Sequence, residues 1–169
     1  MDLLAVILRL LHIVAGTLWV GAGAFVVFIL DPLVPRMGAK DAHTFTRHLY
    51  QRSIFQRYFP ILAGVSTLAG FILYGVVSAQ DLYPMDTAAG IVFHLGVVAG
   101  LAAAVWGGSM EGRISGKLAK LAAVREAKPL KGDDAEMAGL LQRLARASKV
   151  SMVLLFVAVS AMSGAQYLA

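Results

Sequence analysis

Cysteine is absent from the 169 residues, which removes disulfides, thiolate metal sites and thiol catalysis together. Charge is scarce as well: Asp, Glu, Lys and Arg make up 15% of the chain, against roughly a quarter of a soluble domain. No phosphate-cradling glycine motif, no HExxH, no acyl-transfer triad and no pair of carboxylates inside an apolar stretch can be found. Hydrolysis and nucleotide chemistry therefore have no supporting residues. What fills the chain instead is hydrocarbon. Hydrophobic residues supply 59% and the mean hydropathy is +0.73, so the expected solvent is lipid. A net charge of +5 would suit nucleic acid, but the basic residues gather in particular loops, where membrane topology explains them first. Nucleic-acid binding is not expected.

A helix that crosses a bilayer needs roughly 20 apolar residues. Four stretches meet that length: Leu3 to Leu30, Phe59 to Ala79, Ala88 to Met110, and Val150 to Ala169. The first has no basic segment ahead of it and is far longer than the apolar part of a secretion signal, so it is expected to remain as a span. The loop after span one carries Arg36, Lys40, Arg47, Arg52 and Arg57, and the loop after span three is basic throughout, from Arg113 to Lys149. The link between spans two and three offers only Asp81 and Asp86. The positive-inside rule then places both long loops in the cytoplasm and both termini outside. The expected fold is a single all-α domain over residues 1–169, an integral membrane four-helix bundle, N-out and C-out.

The loops are expected to be helical in part. Ile114, Leu118, Leu121 and Val124 recur at helical spacing, as do Leu140, Leu141 and Leu144 beyond Pro129 and Gly132. Residues 111–149 thus read as a cytoplasmic helical hairpin that extends spans three and four. Phe45, Leu49 and Phe55 suggest an interfacial amphipathic helix feeding span two at Pro60. Gly96, Gly100, Ala104 and Gly108 form a ladder of small residues on span three, with shorter versions at Ser66 and Gly70 and at Ser160 and Gly164. Such positions let helices approach closely in lipid.

Ionisable residues inside a bilayer are costly and so are candidates for function. Arg9, His12 and His94 are the ones present in these spans. Counted from the outer face, His12 and His94 lie at depths of roughly 14 and 9 Å, on spans that run in opposite senses. Gly16, Trp19 and Gly23 each fall within about 40° of His12 around span one, which puts small residues beside an imidazole and leaves room for a flat ligand. Neutral imidazole is a standard axial ligand of haem iron. Arg9, one turn outward, suits a propionate or snorkels to the interface. Four readings of the two histidines stay open: haem b ligation, another metal, a proton relay or quinone contact, and hydrogen bonding between helices. Copper would need sulfur ligands, and Met85 alone lies near the outer side between spans. His43 and His48, five residues apart, point to different sides of a helix and are expected to face solvent or headgroups.

The segment LLHIVAGTLWVGAG, Leu10 to Gly23, resembles the first helix of a broad group of small bacterial membrane proteins. The group includes copper-resistance CopD-like domains, HemJ-like proteins and related integral membrane families. An LH opening followed by a WxG pair corresponds here to His12, Trp19 and Gly21. His94 and the terminal AMSGAQYLA, Ala161 to Ala169, are similar to the same group. The resemblance implies a four-helix fold in a bacterial inner membrane and b-type haem at the first-helix histidine. HemJ-like proteins oxidise protoporphyrinogen with the help of an intramembrane lysine, and no span here contains one. The expected function is a haem b-binding protein of redox or electron-transfer type, with His12 and His94 as ligands and a quinone or membrane subunit as partner. The alternatives are an accessory or assembly subunit of a larger membrane complex and a copper-handling CopD-like protein.

Overall fold

The structure is a computed structural model that describes residues 3–38, 41–42, 44–45, 48–49, 55–127 and 133–168. Helix α1 spans Leu3–Phe25, α2 Phe55–Ala79, α3 Ala88–Trp106, α4 Gly112–Ala127 and α5 Asp133–Ala165. With their continuations these supply four helices long and apolar enough to cross a membrane: Leu3–Arg36, Arg57–Ala79, Ala88–Leu121 and Ala135–Ala165. Each closes its backbone hydrogen bonds within itself, as hydrocarbon requires.

The first helix runs on past its expected end through a π turn, and the third enters its expected extension through another. After Phe25 the chain widens over Val26–Leu30, makes one further α turn at Asp31–Leu33, and ends in a 3-10 turn at Val34–Arg36. The expected span ends at Leu30, two residues before Pro32. The wide turn displaces the carbonyl of Phe28, which a proline four residues on would otherwise strike, so the helix passes Pro32. On the third helix the π turn Gly107–Glu111 joins α3 directly to α4. The second helix starts at Phe55, and Pro60 falls inside it instead of at its head. Of the interfacial segment expected before it, His43, Arg47 and Arg52 lie outside the described residues, as do the turn residues Pro129 and Gly132.

A 34-residue helix such as Ala88–Leu121 is about 51 Å long at 1.5 Å per residue, well beyond the ~30 Å hydrocarbon core. The excess length of the third and fourth helices is used in packing. Leu118 of α4 and Met137 and Leu144 of α5 are buried together, with Ile114, Leu121, Leu140 and Leu141 against them. Met137 apart, these are residues whose spacing predicts helical arms; Val124, also counted in that spacing, is exposed.

Among the spans, α3 packs most closely on α5 and α1 on α2, and the two pairs meet through lighter contacts of α1 with α5 and of α2 with α3. The order around the bundle is α1, α2, α3, α5, which leaves α1 and α3 on a diagonal. The α3–α5 seam uses part of the expected ladder, since Gly96 and Gly100 both meet Ala158 and Met162 of α5. Gly96, Ala99 and Ala103 are buried, while Gly108 is exposed with nothing within 4 Å of where a Cβ would stand. A Cβ on Gly96 would lie 3.1 Å from the Ala158 carbonyl oxygen and 3.0 Å from the Met162 nitrogen, so glycine sets this approach. Gly164 and Ser160 likewise point away from the seam. Where α1, α3 and α5 converge, Val27, Ala103, Met152 and Leu155 form a core onto which Trp19 packs.

The link from α2 to α3 closes on a helix cap. Thr87 Oγ1 accepts from the Gly90 nitrogen at 3.0 Å and donates to the Pro84 carbonyl at 2.8 Å, the ordinary work of an N-cap threonine. The fold of the link onto the helix depends on Gly90, where a Cβ would sit 1.7 Å from the Pro84 oxygen.

Candidate functional site

His12 is fastened to α2 at two points. Its Nδ1 lies 2.8 Å from the carbonyl oxygen of Ser66, and the buried Ser66 hydroxyl donates back to the carbonyl of His12 at 3.1 Å. A carbonyl can only accept, so Nδ1 carries the proton and, in the neutral ring, Nε2 keeps its lone pair. Gly70, one turn along α2, makes the approach possible: a Cβ there would stand 2.6 Å from the Nδ1 and Cε1 atoms of the imidazole. The space beside Gly16 is also occupied, since a Cβ on Gly16 would lie 3.0 Å from Ser66 Oγ. The small residues around His12 thus admit α2 itself.

His94 obtains the same tautomer from its own helix. Its Nδ1 lies 2.7 Å from the Gly90 carbonyl, which again leaves Nε2 with the lone pair. The ring stands edge-on to Tyr74 of α2, with centroids 5.6 Å apart. Phe93 stacks on Tyr83 at 4.5 Å and lies parallel to Tyr74 at 6.4 Å, which fills the end of the bundle around His94 with aromatic rings.

Ser66, Gly70 and Tyr74 follow one another at four-residue intervals, and each step turns by about 40° on a helix. One stripe of α2 therefore serves both histidines, His12 at Ser66 and Gly70 and His94 one turn further at Tyr74. The other residues singled out in the sequence do not join them there. Trp19 turns into the core with Met152 and Leu155, and Arg9 is exposed on α1. His48 bonds the Thr44 carbonyl at 2.8 Å and is exposed. Among the described residues no group of three or more His, Asp or Glu side chains gathers to hold a metal ion; two axial imidazoles on a porphyrin are a different requirement.

A second polar centre escaped the sequence reading. Asp31 follows the first π turn and Glu111 ends the second, and Asp31 is near enough for Glu111 to feel its charge. Glu111 accepts hydrogen bonds from Ser148 at 3.3 Å and from Ser151. Asp31 has one buried carboxylate oxygen without a hydrogen-bond partner among the described residues, and Lys149 is its compensating charge. Neither acid is singled out by the sequence patterns above. The available signal was their position, each immediately after an unbroken apolar run ending at Leu30 or Met110.

No family model, curated protein or solved structure matches this chain.

Proposed function

We propose that this protein is a multi-pass inner-membrane protein that binds haem b through His12 and His94 and passes electrons to or from a quinone or a neighbouring membrane subunit. The observation that carries the reading is the common state of the two imidazoles. Each has its Nδ1 proton engaged by a backbone carbonyl, the arrangement that orients a histidine and raises the basicity of Nε2 as a ligand. Haem, when bound, would supply a one-electron couple. The chain's own part is to fix the planes of both rings through Ser66 and Gly90 and keep the surroundings apolar. Arg9, one turn from His12, is the propionate partner in this reading. Both termini lie outside and residues 111–149 lie in the cytoplasm, on the strength of the loop charges; this puts the histidines in the outer half of the bilayer.

The second reading is favoured by the two hydrogen bonds between His12 and Ser66 and by the fit of the imidazole over Gly70. In it the histidines are clasps between helices, and the protein is an accessory subunit of a larger membrane complex. A visible spectrum separates the two. Protein purified in detergent after expression with ample haem should show the sharp Soret and α bands of low-spin six-coordinate iron. His12→Ala or His94→Ala should remove or convert those bands, whereas Ser66→Ala keeps the carbonyl that orients His12 and should retain them. Haem-free protein, or bands indifferent to both histidine substitutions, leaves the clasp reading. For the topology, single cysteines placed at Asp86 and Lys120 should label from opposite sides of the membrane.

A further inference from the structure

The chain carries a net charge of +5, and five of its cations line one groove. Arg113, Lys117 and Lys120 come from α4 and Arg143 and Arg146 from α5. Spacings of three and four residues put each set on one side of its helix. Among the described residues none that lines the groove is acidic, so these walls provide no counter-ion. The space between the helices measures about 720 Å³, large enough for a headgroup and the start of its chains.

The floor of the groove has the opposite character. Trp106, Met110 and Val150 line it, and the indole is held in place by donating from Nε1 to the Ala147 carbonyl at 3.1 Å. Met110 and Val150 stand where the apolar spans give way to the charged arms. Gly116 keeps the wall low, with no atom within 4 Å of where its Cβ would be. A ligand suited to this place is an anion at one end and hydrocarbon at the other. A soluble anion would use the five charges and leave the apolar floor bare.

We propose that the groove between α4 and α5 binds the phosphodiester headgroup of an anionic membrane phospholipid, with the first part of an acyl chain on Trp106 and Met110. Basic recesses between helices at a membrane surface have the chemistry to select such headgroups. The site is independent of haem and of the histidines.

The test is native mass spectrometry of the full-length protein in mixed micelles containing equal amounts of phosphatidylglycerol and phosphatidylcholine. The wild type should retain phosphatidylglycerol in preference. Arg143→Gln with Arg146→Gln should lower that preference by about fivefold per charge removed, and Lys117→Gln with Lys120→Gln, at two exposed positions, should act alike. Gly116→Leu fills the groove without changing any charge and should reduce lipid retention too. Arg36→Gln with Arg57→Gln removes two exposed cations that do not line the groove and should leave the preference intact. Equal retention of the two lipids would overturn the proposal, and so would equal loss in the Arg36 and Arg57 control, which would assign the effect to overall charge. Displacement of the lipid by glycerol 3-phosphate at matching concentration would overturn it in favour of a soluble anion.

Discussion

The two helix pairs of this bundle are held together by different physics. In α3 and α5 the backbones approach over Gly96, Ala99 and Ala103 and the contact there is apolar, with the Trp106 indole bonding the Ala147 carbonyl further along. In α1 and α2 the contact is centred on a polar exchange, His12 to the Ser66 carbonyl and Ser66 to the His12 carbonyl, with Gly70 beneath the ring. Lipid offers no hydrophobic gain for either pair, since a tail is as apolar as leucine, so association rests on close packing or on hydrogen bonds. The packed pair buries more of its spans, 28% and 39% of the most apolar windows against 17% and 11% for the bonded pair. The hydrogen-bonded pair is therefore the one with less burial to lose.

The comparison can be broken most severely at Gly96. Leucine there would place carbon against the backbone of Ala158 and Met162, which cannot rotate away, and the expected cost is about 3 kcal/mol or more, at the upper end of overpacking. Denaturant unfolding in detergent micelles should show it, and Gly100→Ala, whose Cβ would sit 3.7 Å from Ala158, should be tolerated beside it. Gly70→Ala comes next. The new methyl displaces the imidazole and with it the bond to Ser66, for about 1–3 kcal/mol; a disulfide cross-link engineered between α1 and α2 should form less efficiently, with α3 and α5 unaffected. Ser66→Ala keeps the carbonyl acceptor and removes one hydroxyl bond, so the loss should be close to the ~0.6 kcal/mol average for such bonds in membranes. The smallest effect is expected at Gly108→Ala, within about 0.5 kcal/mol, because nothing lies near the added carbon. A large effect there would return the seam to the face first read from the glycine spacing.

That spacing shows where sequence reasoning reached and where it stopped. Small residues at 96, 100, 104 and 108 mark α3 as a helix built for close packing, but a four-residue ladder and the observed 96, 99 and 103 line diverge by a fraction of a turn. Both are lined with glycine and alanine, so composition does not choose between them. Arg113 to Leu144 were legible as helical arms because their apolar spacing is regular and their surroundings polar, and Leu118, Met137 and Leu144 meet as that spacing implies. Asp31 and Glu111 were missed because the rule that counts loop charges does not ask whether an acid just past a span lies in water or against another helix.

The sequence by itself determined the number of spans, since only uninterrupted helices satisfy the backbone in hydrocarbon, and the basic arms, since charge cannot be hidden there at tolerable cost. It also picked out His12 and His94 as candidates by type and depth. His94 bonds Gly90 within its own helix, but only the tertiary structure decided that His12 donates to the Ser66 carbonyl and that one stripe of α2 faces both rings. The joining of Asp31 to Glu111 and of five cations into one groove belongs to it as well. The reason is common to all of these. A carbonyl acceptor, a neighbouring charge or a groove wall is supplied by a residue distant in the chain or by the backbone, and neither leaves a mark on the residue that receives it.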